Sequence, residues 1–132
     1  MVIAVLQNSF GGEIFIPKIP SYRILDVVEA IGPACEKKFI GIRAGEKIHE
    51  EMITKTDALN SVEFDKYYVV LPATPLWDIE KFRNKSNSSV GKMCEYGFSY
   101  DSNTNKDFLS KNELKISRQN FSSHFFLNSI FH

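Results

Sequence analysis

The chain has 132 residues, a length suited to one modest domain, and 43% of them are hydrophobic, enough for a real core without covalent staples. Sixteen lysines and arginines balance sixteen aspartates and glutamates. The zero net charge argues against a nucleic-acid binder, though one or two arginines could still build a single anion site. Eleven phenylalanines, five tyrosines and one tryptophan exclude a disordered chain.

Residues 2–7 are apolar and start abruptly at Met1, as the last turns of a helix would. Gly11-Gly12 punctuates the chain, and Glu13–Ile16 reads as a buried strand. As a member of a parallel sheet that strand would need neighbours on both sides, and the sequence offers few. Pro17 and Pro20 bracket a rigid connection, after which Ser21 is placed to cap a helix. There Ile24, Val27, Val28 and Ile31 fall at the i, i+3, i+4, i+7 spacing of one buried face. Asp26 and Glu29 point the other way, and Gly32-Pro33 stops the helix.

Lys38–Ile42 predicts a second strand, Arg43–Glu46 the turn after it, and Lys47–Ile53 a short helix with Ile48 and Met52 inward. Val62–Phe64 and Tyr67–Leu71 read as strands. Pro72 and Pro75 end regular pairing, and Trp77 and Phe82 anchor the loop that follows. Arg83–Lys92 reads as an exposed polar excursion. Phe98–Tyr100 is a candidate strand before the turn-rich 101–105 stretch, and Ser110-x-x-Glu113 is a capping box opening a last short helix. Residues 117–132 have no period and are expected to be poorly ordered. The order of elements predicts an α/β or α+β piece whose topology is incomplete.

The sharpest chemical feature is Gly41-Ile42-Arg43-Ala44-Gly45-Glu46-Lys47. Ligands of open α/β sheets sit beyond the carboxyl ends of strands, and arginine presents a planar fork to phosphate oxygens. A glutamate three residues later could accept hydrogen bonds from ribose hydroxyls. A solvated surface turn with an Arg/Glu pair is the competing reading.

Other patterns fail. His49 with Glu50-Glu51 would need a histidine where Ile53 stands to make the zinc motif, so no metal site is expected and His49 is at most a second-layer polar residue. Ser86–Met93 lacks both ends of a phosphate loop. The Asn84, Asn87 and Asn120 sequons carry no weight without a secretory signal. Cys35 and Cys94 lack C-x-x-C spacing and a basic neighbour, which predicts two reduced packing thiols. With no basic n-region in the first ten residues and no apolar run near ~20 residues, the expectation is a cytoplasmic protein with no membrane or nucleic-acid partner. There is no G-x-G-x-x-G loop and no Tyr-x-x-x-Lys, so no catalytic residue is assigned.

Two strings are specific by their length: Gly11-Gly12-Glu13-Ile14-Phe15-Ile16-Pro17-Lys18-Ile19-Pro20-Ser21 and Gly41-Ile42-Arg43-Ala44-Gly45-Glu46-Lys47-Ile48-His49-Glu50. With Met52-Ile53-Thr54, Glu63-Phe64, Tyr67–Val70 and Gly97–Asn105, they make residues 2–116 resemble the carboxyl-terminal third of the inverting UDP-N-acetylglucosamine 4,6-dehydratases. That family is a polysaccharide-biosynthesis branch of the extended short-chain dehydrogenase/reductase superfamily. The resemblance implies an incomplete α/β fold: the substrate-binding part (1–116) of a Rossmann-like enzyme without its dinucleotide-binding half, followed by a divergent tail (117–132). It implies a lyase that binds NADP on the missing half, oxidises a UDP-sugar at carbon four, eliminates water across carbons five and six, and inverts carbon five. The keto-sugar product feeds pseudaminic acid-type sugars.

Under the resemblance, Arg43 and Glu46 help hold the UDP moiety, with Gly45, Lys47 and His49 as second-layer candidates. The family's proline after the arginine is Ala44 here. This chain alone is expected to bind no NADP and to be active only with the Rossmann part supplied by a separate chain; a homo-oligomer is the other partner considered. Two other readings stand beside it: a stand-alone nucleotide-sugar binder, and a remnant serving only as an interaction surface.

Overall fold

A computed structural model describes residues 2–85 and 90–117. The chain divides into two compact units, Met1–Ile19 with His49–Thr104, and Pro20–Ile48 with Asn105–His132.

The first unit opens with helix α1 (Val2–Asn8), the expected short helical run. Gly11 and Gly12 follow at φ +119° and +86°, a reversal that only glycine makes without strain. A β-carbon on Gly12 would stand 3.4 Å from the Pro72 ring, an ordinary contact, so it is the positive φ that calls for glycine there. Strand β1 (Ile14–Pro17) then enters a four-stranded sheet of order β1-β4-β3-β5, with β3 (Ser61–Glu63), β4 (Tyr67–Val70) and β5 (Lys92–Met93). Every strand pair is antiparallel, so the parallel neighbours sought for β1 are not needed. One antiparallel partner, with Ile16 opposite Tyr68, satisfies it as an edge strand.

The run Tyr67-Tyr68-Val69-Val70-Leu71 is apolar without alternation because both faces of β4 are covered. Val69 and Leu71 pack with Val62, Phe64 and Phe82. Tyr68 packs on the other face with Ile16, Ile53, Ala58 and Tyr100. Val62 and Val69 sit opposite each other in register and are fully buried.

Helix α3 (Ile79–Lys85) closes the first of these clusters by burying Phe82. Asp78 caps it, accepting the N–H groups of Glu80 at 2.8 Å and Lys81 at 3.2 Å. The Trp77 indole N–H donates to the Gly11 carbonyl at 3.0 Å, so Trp77 and Phe82 anchor this region as expected.

The polar excursion expected over 83–92 is corrected at both ends. Residues 83–85 are helical, residues 86–89 lie outside the described residues, and Gly91 is buried. The Arg83 side chain and carbonyl both bond to Gly91, at 2.8 and 2.9 Å. A β-carbon on Gly91 would stand 2.6 Å from Val62 Cγ1 and 2.7 Å from Phe64 Cζ. Gly91→Ala is therefore expected to destabilise the chain by about 1–3 kcal/mol through overpacking. A urea titration against the parent would check it; an unchanged midpoint would show that Val62 and Phe64 can yield.

Lys47–Ile53 is not a helix. Its last residues form strand β2 (Glu51–Ile53), paired with β6 (Tyr100–Asp101) across a register shift between Glu51 and Ile53. Alternation then decides what is buried: Ile53 is fully buried, while Met52 and Ile48 are exposed. The strand expected at Phe98–Tyr100 is thus realised only as Tyr100–Asp101. The Tyr100 hydroxyl both donates to the Ile19 carbonyl and accepts the Ile19 N–H, each at 2.9 Å. A 3-10 turn (Asp57–Asn60) leads into β3, and buried Ser61 donates its hydroxyl to the Asp57 carbonyl at 2.7 Å.

In the second unit, helix α2 (Ile24–Ile31) forms where the spacing predicts and stops at Gly32. Ser21 is not its cap: Arg23 holds that position with no side-chain bond. Ser21 instead lies in a short bridge, donating its N–H to Asp107 and accepting from Leu109 N–H, both at 2.8 Å.

The expected buried face of α2 is realised only in part: Val27 and Val28 are half-buried, but its two isoleucines are not. Ile24 is 69% and Ile31 58% exposed, and Ala30 is the helix residue that is buried. The polar side meets the chain instead, because Lys111 pairs with both Glu29 and Asp26. Lys111 starts the helical residues 111–117, opened by the expected capping box: Ser110 N–H and hydroxyl donate to Glu113 at 2.7 and 2.6 Å. The tail expected to be poorly ordered lies, from residue 118, outside the described residues.

Lys38–Ile42 forms no strand. Phe39, Ile40 and Ile42 are exposed, and their β-branched and aromatic composition finds no strand among the described residues to pair with.

Candidate functional site

Residues 43–46 form a tight turn. The Glu46 N–H donates to the Arg43 carbonyl at 3.1 Å, and Gly45 at φ +87° supplies the left-handed residue that a type II turn needs in its third position. The Glu46 side chain closes the turn a second time, with Oε2 accepting the Arg43 N–H at 2.9 Å. Glu46 Oε1 stands 3.8 Å from Arg43 Nε. The Arg43 side chain is 70% exposed and that of Glu46 50%. Apart from Glu46, the guanidinium has no partner among the described residues, so its terminal nitrogens are open to a ligand. The strand that was to aim Arg43 is absent, and the arginine is presented by the turn alone.

Gly45 belongs to this turn and Lys47 follows it, exposed and without a partner among the described residues. His49 is exposed and belongs to the other unit. No group of three or more histidine, cysteine or acidic residues placed to hold a metal occurs among the described residues. Both cysteines are free thiols. Cys35 is exposed, which corrects its reading as a packing residue, although its sulfur lies close over Gly32.

A second polar cluster escaped the sequence reading. Lys18 Nζ lies 2.6 Å from Glu63 Oε1 and 4.7 Å from the centre of the Tyr68 ring. Burial, together with the Glu63 charge, pushes the Tyr68 phenol up to about 12 and the Cys94 thiol up to about 11. Both groups stay protonated near neutrality, so neither is a base or nucleophile there. These residues come together through strand pairing, with Glu63 opposite Tyr68, and no spacing in the sequence announces it.

The loop after α1 is not a free cradle for a dinucleotide, the cofactor that the resemblance implies. Its Phe10 and Gly11 N–H groups and the Ser9 hydroxyl already donate to the Glu13 carboxylate. Burial works against the Glu13 charge, yet these donors hold its carboxyl below the usual range. The loop also joins a helix to a strand, whereas a pyrophosphate cradle opens a helix after a strand. The described residues do not fit a dinucleotide.

No helix among the described residues is long and apolar enough to cross a membrane. Residues 1–72 match the profile of a family described as "Polysaccharide biosynthesis protein". Two curated relatives are "UDP-N-acetylglucosamine 4,6-dehydratase (inverting)" proteins of Campylobacter jejuni, serotypes O:23/36 and O:2. They are 42% and 41% identical over 114 residues, which is 86% of this chain and 34% of each relative. The chain thus spans about a third of the length of these relatives. Among solved structures, "X-ray structure of Pen from Bacillus thuringiensis" superposes with a TM-score of 0.67 at 24% identity, over 91% of this chain and 35% of that one. That likeness concerns the fold.

Proposed function

Because the chain belongs to the polysaccharide biosynthesis protein family, we propose that it is the UDP-sugar-binding part of a C5-inverting UDP-N-acetylglucosamine 4,6-dehydratase. The observation that carries this is the Arg43–Glu46 turn, which presents an arginine fork with unpartnered terminal nitrogens to solvent. Two parallel N–H donors of one guanidinium match the oxygens of a diphosphate. In this reading the chain supplies binding and orientation of the UDP-sugar. Catalysis would need a Rossmann-domain partner carrying NADP, and the setting is cytoplasmic deoxy-amino-sugar biosynthesis of the pseudaminic acid type.

Calorimetry of the 132-residue chain with UDP-N-acetylglucosamine tests the reading. Saturable binding is expected in the parent. Arg43→Ala is expected to weaken it about 10- to 100-fold, the usual loss for a charge-assisted hydrogen-bonding group. Arg43 is exposed, so the variant should keep its far-ultraviolet spectrum and Trp77 fluorescence. Equal binding by parent and variant, or none by the folded parent, would overturn the assignment of this turn.

A stand-alone nucleotide-sugar binder is the second reading. The autonomy of the 43–46 turn favours it, because both of its closing hydrogen bonds come from within those four residues. Failure of any Rossmann-domain partner to restore turnover to a chain that binds UDP-sugar would select it.

A further inference from the structure

We infer that the apolar side of α2 is a docking surface for the chain's own carboxyl-terminal segment, residues 118–132. Helix α2 has eight residues, too few to persist in water without burying an apolar face. Among the described residues it buries only Ala30, while Ile24, Leu25 and Ile31 are exposed and Val27 and Val28 half-buried. At helical spacing Ile24, Val27, Val28 and Ile31 share one side, and Asp26 and Glu29 lie across from it. Lys111 pairs with both of those carboxylates. The helical residues that Lys111 opens are thereby tied to the polar side and leave the apolar side to another occupant.

The segment that follows them fits that side in length, composition and charge. After Ser117 come three polar residues, Arg118-Gln119-Asn120, and then Phe121, Phe125, Phe126, Leu127, Ile130 and Phe131. An extended chain advances about 3.3 Å per residue, so Phe121 can reach about 13 Å from Ser117, against about 10–12 Å for the diameter of a helix with its side chains. The polar stretch thus spans the width of α2 before the first ring. Residues 118–132 include no acid, and the only charged residues of α2 are Asp26 and Glu29, so nothing repels the approach. Apart, the helix side and the six apolar side chains would be two patches facing water; together they shield each other.

NMR of the full chain, with isoleucine, leucine and valine methyls labelled, tests the docking without any substitution. Nuclear Overhauser contacts are expected between the Ile24, Leu25 and Val28 methyls and the rings of Phe121, Phe125 or Phe126. An equal mixture of labelled and unlabelled chains, filtered for contacts between copies, is expected to show none of them. Contacts in the filtered experiment would overturn the intramolecular assignment in favour of a second copy. Absence of contacts in both experiments would overturn the docking itself. Loss of the 118–132 signals on phosphatidylglycerol vesicles, with the α2 methyls unmoved, would in that case make the segment a membrane contact.

The double variant Phe125→Ser with Phe126→Ser gives a readout whose sign differs between docked and free. If the rings cover α2, the variant uncovers the helix side, and fluorescence of the apolar dye anilinonaphthalene sulfonate should rise. If they are free in solution, the variant removes two exposed rings and the fluorescence should fall. A fall would overturn the proposal.

Discussion

Phe82→Ala is expected to cost about 3–5 kcal/mol of stability, the range for emptying an aromatic side chain from a packed core. The Phe82 ring is 3% exposed and sits among four others. Its centroid lies 4.9 Å from Trp77, 5.6 Å from Phe10, 6.0 Å from Phe64 and 6.4 Å from Phe15. Those partners come from the glycine loop, β1, β3's exit and the approach to α3, so the cavity would loosen several elements at once. Against a typical total of about 5–15 kcal/mol, that loss removes a large share of the margin. Phe82→Leu should cost less, because it keeps most of the volume. Urea denaturation followed by the fluorescence of Trp77, the single tryptophan, reads the effect beside the site of change. A loss below about 1 kcal/mol would mean that the surroundings collapse onto the space and that this ring cluster is not a rigid core.

Legibility along the chain followed how local each cause was. Helix α1, the hairpin of β3 and β4, the Ser110–Glu113 box and the 43–46 turn rest on residues within a few positions of one another. Their composition and spacing announce them. Lys47–Ile53 misled because Ile48 and Met52 sit at a helical spacing, while the partner that makes Glu51–Ile53 a strand stands some fifty residues on, at Tyr100–Asp101. Lys38–Ile42 misled in the other direction: strand-forming composition is only a preference until a neighbour supplies the ladder. In α2 the periodicity located the helix correctly but not what covers it. The ion pairs of Asp26 and Glu29 with Lys111 engage its polar side, and Ile24 and Ile31 stay open. Of the candidate site, the turn and its glycine were readable. The engagement of Glu46 with the Arg43 backbone was not, because one spacing serves equally an outward and an inward carboxylate. The Lys18–Glu63–Tyr68 cluster depends on sheet register alone, which no motif encodes.

That cluster should make the protein lose stability in alkali. Burial first, then the Glu63 charge and the neighbouring Cys94 and Tyr100, raise the Tyr68 phenol from its ordinary 10.0 to about 12. The folded state thus keeps a proton that the unfolded chain releases near pH 10. Where the native state binds more protons than the unfolded one, stability falls as pH rises. The contribution of Tyr68 is accordingly complete below pH 10, declines between 10 and about 12, and is absent above. Cys94, raised from 9.0 to about 11, starts the same decline one unit earlier. Both groups feel the Glu63 charge, and Cys94 contributes to the Tyr68 shift, so their losses do not add in full. For Tyr68, a buried ring packed 5.1 Å from Tyr100 and 5.3 Å from Phe98, the shift corresponds to a loss on the order of 2 kcal/mol. Urea midpoints of the parent should therefore drop from pH 9 through pH 11.5, while Tyr68→Phe, which has no phenolic proton, should drop much less. Cys94 contributes its own loss in both proteins, so the difference between the two curves is the quantity to read. Parallel curves would remove the phenol from the alkaline loss and leave Cys94 as its source.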